Sequence, residues 1–86
     1  MGFRIAKSVR ARAQHAANKG NWHEAEVLYL QLICCLEYLL GTSHLDVASA
    51  AHSLSYVLEK QGKIEEAVKW RERTSEMLLG SNERFQ

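Results

Sequence analysis

The stretch GNWHEAEVLYLQLICCLEYLLG, residues 20–41, is bounded by glycine at both ends and is nearly unbroken in apolar side chains from Val27 to Leu40. The apolar run is about 14 residues long and is interrupted by Gln31 and Glu37, whereas a bilayer crossing takes roughly 20. It therefore reads as a buried helix and not a membrane span. A helix at the edge of a hairpin needs only one apolar stripe. This one is apolar on most sides, so it has to be covered on more than one of them.

The rest of the chain supplies three further helices. The first is expected from about Phe3 to Asn18, with Ile5, Val9, Ala13 and Ala16 at helical spacing and Ala6 and Ala17 beside them. NKGN ends it, because Gly20 can adopt the left-handed conformation that closes a helix. Asn21 with Glu24 reads as a capping box for the second helix, Trp22 to Leu40, which stops at Gly41. Ser43 with Asp46 repeats that arrangement and opens a third helix reaching about Gln61, with Val47, Ala50 or Ala51, Leu54, Val57 and Leu58 as its core line. After Gly62 a fourth helix runs from Lys63 to Leu79 and ends at Gly80, burying Ile64, Ala67, Val68, Trp70, Met77 and Leu78.

Eighty-six residues make one small domain, close to the size at which a single core becomes marginal. An apolar fraction of 47% without proline argues against disorder. Strand signals are poor: there is no sustained alternation and no Asn-Gly or Asp-Gly turn. The net charge of +1 hides an asymmetry, since residues 1–20 carry Arg4, Lys7, Arg10, Arg12 and Lys19 and no acid. Such a basic start suits an acidic partner, and a small nucleic-acid-associated regulator is the alternative reading, but five cations are few for a dedicated nucleic-acid binder.

Cys34 and Cys35 are adjacent, about 100° apart around a helix, and cannot share a zinc ion in the usual spacing. They read as reduced thiols of a cytoplasmic protein. The start MGFRIA shows no leader, and Ala6 stands where a myristoylation signal wants Ser or Thr.

GNWHEA at 20–25 and GKIEEA at 62–67 coincide when the chain is offset by 42 residues. An offset of this size between helical hairpins is the signature of a helical solenoid. With Gly20, Trp22, Ala25 and Tyr29, then Leu40-Gly41 and HLDVA at 44–48, then Leu54, Leu58, Gly62, Ile64 and Ala67, the chain resembles the tetratricopeptide repeat family, especially the 42-residue repeats of kinesin light chains. The resemblance implies an all-α fold of two antiparallel hairpins, a fragment of a right-handed α-solenoid, in one domain spanning 1–86. Repeat one covers about 3–41, repeat two about 43–80, and 81–86 form a short tail. The chain departs from the family pattern at Leu45, where proline is usual, and at Arg71, which stands in the place of Tyr29. Leu79-Gly80 also comes three residues early, so the last helix reads as a terminal one.

Evidence for catalysis is thin. The four histidines form no H-E-x-x-H or similar unit, so neither a metal nor another cofactor is expected. Ser43, Ser49, Ser53 and Ser55 lack a base, an orienting acid and an oxyanion hole; Ser49 with His52 has only the spacing. The resemblance instead implies a non-catalytic protein-interaction or scaffold module. Its partner groove would use Lys7, Arg10, Gln14 and Asn18 on the first helix and His52, Tyr56, Glu59 and Lys60 on the third. In members that clamp acidic peptide ends, asparagines occupy the places of Gln14 and Tyr56, so the carboxylate clamp itself is not expected. On the second helix, Val27, Leu30, Ile33, Cys34 and Tyr38 are left over once the repeat pattern is satisfied. Burying a Leu or Ile is worth about 1.5–3 kcal/mol. These residues therefore predict a homo-oligomer, or neighbouring repeats in a longer chain.

Overall fold

A computed structural model describes residues 2–41 and 44–83, with side chains through Leu78, and shows four consecutive helices: α1 (Gly2–Asn18), α2 (Trp22–Leu40), α3 (Leu45–Lys60) and α4 (Ile64–Glu83). α1 packs on α2, α2 on α3 and α3 on α4, giving two antiparallel hairpins stacked side by side. The fold is all-α and of tetratricopeptide-repeat type. Among the described residues no helix is long and apolar enough to cross a membrane.

The two hairpin turns are built alike. Gly20 and Gly62 have φ of 78° and 81°, a region that side chains with a Cβ avoid. Behind each glycine the chain closes with the same long bond: the Asn21 N–H donates to the Ala16 carbonyl, and the Lys63 N–H to the Leu58 carbonyl, both at 2.9 Å. This is the glycine-terminated helix end that satisfies otherwise orphaned carbonyls. The offset of 42 thus holds in the backbone as well as in the sequence.

Small residues set how closely the helices approach. Ala13, Ala25, Ala50, Ala51 and Ala67 are fully buried, and Leu32, Leu54, Leu58, Val47 and Val57 fill the space between hairpins. Every expected core position of α3 is buried, because α3 has α2 on one side and α4 on the other.

The outer helices correct the expectation. Ile5 is 60% exposed, and Ile64, Val68 and Leu78 are exposed as well. Val47, which the offset equates with Ile5, is fully buried under the preceding hairpin. Ile5 has no such neighbour, and the open side of α4 likewise leaves Ile64, Val68 and Leu78 uncovered. α4 also continues through Gly80 to Glu83, so the expected stop there is not made.

Two caps differ from expectation too. Asn21 makes no side-chain cap bond; its backbone carbonyl alone accepts from the Ala25 N–H at 3.0 Å. At α3 the cap is His44, whose Nδ1 accepts from the Asp46 N–H at 3.1 Å. Ser43, the expected cap, lies outside the described residues.

Candidate interaction site

Helical spacing places Lys7, Arg10, Gln14 and Asn18 along one side of α1. Of these, Gln14 and Asn18 meet His52 and Tyr56 of α3 across a hollow of about 280 Å³ that Ala17, Tyr29, Ser53 and Val57 also line. Four of the eight groove residues named from the resemblance therefore share one hollow. Lys7 and Arg10 continue the α1 row beyond it. Lys60 Nζ sits over the Tyr56 ring, 5.2 Å from its centre. Glu59 is engaged elsewhere, in an ion pair with Arg71 of α4.

Tyr56 is the main apolar surface here, 51% exposed. Its orientation comes from Trp22 of α2, whose ring meets it edge to face at 6.1 Å and 76°. Such pairs add about 0.5–1.5 kcal/mol beyond area burial. Trp22 and Tyr29 were not expected at this site; both come from the neighbouring helix, at its start and about two turns along, and only the packing of α2 on α3 brings them in. No carboxylate lines the hollow; Lys60 sits over the Tyr56 ring that borders it, and Lys7 and Arg10 lie farther along the α1 row.

The hollow can hold one side chain, since its volume falls just below the 300–1,000 Å³ of small-molecule pockets. Amides at Gln14 and Asn18 both donate and accept, as a peptide backbone requires. Among the described residues no hydrogen bond joins Ser49 to His52, and the His52 carbonyl instead accepts from Ser55 Oγ at 2.7 Å. Among the described residues, no three His, Cys, Asp or Glu side chains gather as a metal set.

The five cations near the start do not form one patch. Arg12 and Lys19 border a separate hollow with His15, Asn21 and Glu24, away from the row of Lys7 and Arg10. The charge that favoured a nucleic-acid surface is thus divided between two sides of α1.

On α2, Val27, Leu30, Cys34 and Tyr38 face outward and are exposed, Tyr38 at 89%. Ile33 does not belong with them. It is 3% exposed and packed in the chain's own core. Both thiols are free; Cys35 is half-buried, with Sγ 4.0 Å from the Gly2 carbonyl oxygen.

No curated protein and no solved structure matches the chain. Residues 47–82, comprising α3 from its first turn and α4 almost to its end, match the family described as Tetratricopeptide repeat, so the second hairpin is similar to one unit of a family that mediates protein–protein interactions.

Proposed function

We propose that the chain is a non-catalytic protein-interaction module of the cytoplasm, an adaptor or scaffold that holds an extended acidic segment of a partner across α1 and α3. The observation that carries this reading is the hollow lined by Gln14, Asn18, His52 and Tyr56 and by no carboxylate, with Lys60 over the Tyr56 ring and Lys7 and Arg10 farther along the same side of α1. An acidic side chain of the partner meets Lys7, Arg10 or Lys60, the amides take its backbone, and one apolar side chain lies on Tyr56. A second contact, between copies of the chain, uses the exposed apolar row of α2.

Titration with fluorescein-labelled acidic and basic peptides of equal length tests the groove. The acidic peptide binds, weakens steeply with added salt, and loses about tenfold in affinity, roughly 1.4 kcal/mol, in Tyr56→Ala. Equal affinity for both peptides, or an unchanged affinity in Tyr56→Ala, overturns the reading.

A further inference from the structure

The two hairpin turns carry the same hollow, and only the second is walled on every side. Beside the second turn, a hollow of about 310 Å³ is lined by Leu54 and Leu58 of α3 and by Glu66 and Trp70 of α4. Beside the first turn, a hollow of about 230 Å³ is lined by Arg12 and Ala16 of α1 and by Glu24 and Leu28 of α2. These are the same four positions at the offset of 42. The second hollow has a further wall, Glu26 and Leu30 of α2, because α2 packs on α3. Among the described residues no helix takes that place against α1.

The walled hollow shows what such a neighbour brings to the turn. Glu26 Oε1 accepts from Gln61 Nε2 at 2.7 Å and from Lys63 Nζ at 3.0 Å. One amide and one cation, flanking Gly62, thus hold a carboxylate. The first turn presents the same pair in exchanged order, with Lys19 in the place of Gln61 and Asn21 in that of Lys63. The backbones that carry them match, since both glycines are left-handed and both turns close with the same long bond. Both side chains are free: Asn21 makes no cap bond, and among the described residues neither Lys19 nor Arg12 is in an ion pair. Glu24 in the lining does not exclude a carboxylate, because Glu66 stands at the same position beside Glu26.

The charges of α1 specify the rest of the occupant. Arg12 and His15 stand in the places of Leu54 and Val57. A helix seated there therefore meets a cation where Leu30, one turn on from Glu26, faces the hollow with Leu54. Farther along, Ile5 takes the place of Val47 and is 60% exposed, so the surface becomes apolar again. A second copy stacked end to end does not fit this pattern. Its α4 offers Val68 in the place of Glu26 and Arg71 in that of Tyr29. We infer that the open side of α1 seats an acidic amphipathic helix of a partner protein. One of its glutamates is held by Lys19 and the Asn21 amide, and a second, one turn on, by Arg12.

The full chain, isotope-labelled for amide NMR, is titrated with an alanine-based helical peptide that tests this site. The peptide carries two glutamates one turn apart and leucines farther along the same face. The amides of Arg12, His15, Lys19 and Asn21 shift to saturation, and added salt weakens the binding. Asn21→Ala weakens it too, and Lys19→Ala does so about fivefold, with the helical circular dichroism unchanged. Tyr56→Ala leaves it as it was. A peptide with glutamine for glutamate that shifts the same amides equally overturns the carboxylate site, as does an affinity untouched by both substitutions at the turn. Shifts confined to the hollow beside Tyr56 overturn the seating on α1 and leave the groove standing; no shifts at all overturn it as well. If the amides of residues 12–21 shift with the concentration of the chain alone, a second copy is the occupant and the partner helix is overturned.

Discussion

Glu26 of α2 and Lys63, at the start of α4, lie 3.0 Å apart although 37 residues separate them in sequence. The same Glu26 Oε1 accepts from Gln61 Nε2 at 2.7 Å, so one carboxylate ties the first hairpin to the turn of the second. Burial alone would raise its pKa, but the hydrogen bonds from Gln61 and Lys63 and the charges of Lys63 and His23 outweigh it, and the carboxyl sits below its ordinary value of 4.5. A depressed carboxylate contributes stability that is present above its unfolded pKa and is lost as pH falls through the folded one. The midpoint for urea unfolding should fall on acidification from about pH 5 downward in the native chain. In Glu26→Gln that part of the pH dependence is removed, at a cost of about 1 kcal/mol near neutrality. A pH profile identical in the two proteins shows that the tie is not made in solution.

Leu54 and Leu30 separate core from surface. Leu54 is fully buried between the hairpins, and Leu54→Ala should cost about 2–5 kcal/mol through lost burial and the cavity left behind. Leu30 is 41% exposed beside Leu54, Leu58 and Trp70, and Leu30→Ala should cost the single chain only about 1 kcal/mol. Urea unfolding at a protein concentration low enough to exclude pairing reads both. Comparable losses would mean that Leu30 is enclosed within one copy, and the docking row would lose its basis.

The contrast between these leucines also marks what periodicity can and cannot reveal. Helical spacing identifies which face of a helix is apolar, and in α3 that was enough, since neighbours cover it on both sides. The same spacing in α1 and α4 named Ile5, Ile64, Val68 and Leu78 as core, but periodicity carries no information on whether a further helix exists to cover them. Ile33 failed in the opposite direction: the core takes a wider arc of α2 than one stripe, so it includes a residue counted as left over. At the groove, the rows of α1 and α3 were legible because each is a single helix face. The edge contact of Trp22 on Tyr56 was not, because it joins residues from two hairpins whose relative placement only the packed core determines.

Capping showed a similar limit, and it yields a direct test. Asn21 has a capping side chain that makes no cap bond, while histidine, outside the usual set, holds the start of α3 through its ring nitrogen. His44→Ala should therefore lower stability by about 1 kcal/mol, and His44→Asn should restore most of it, because its side-chain oxygen can accept from the same N–H. Asn21→Ala should be nearly silent by comparison. Thermal unfolding of the three variants decides the order; an Asn21→Ala loss exceeding that of His44→Ala would reverse the assignment of the caps.

Gly62 isolates the cost of the turn itself. A methyl group added there meets nothing within 4 Å, so Gly62→Ala introduces no clash; the penalty arises only from φ of +81°. Holding an ordinary residue in the left-handed region costs roughly 1–2 kcal/mol. Gly62→Ala should accordingly lower the unfolding free energy by that amount, read as a lower urea midpoint with an unchanged slope. Asparagine tolerates the left-handed conformation better than alanine, so Gly62→Asn should lose less. The Gly20 turn closes with the same backbone bonds at φ of +78°, and Gly20→Ala should show the same loss. If Gly62→Ala unfolds at the native midpoint, the glycine is not confined to this conformation and the matching long bond from the Lys63 N–H cannot be what closes the second hairpin.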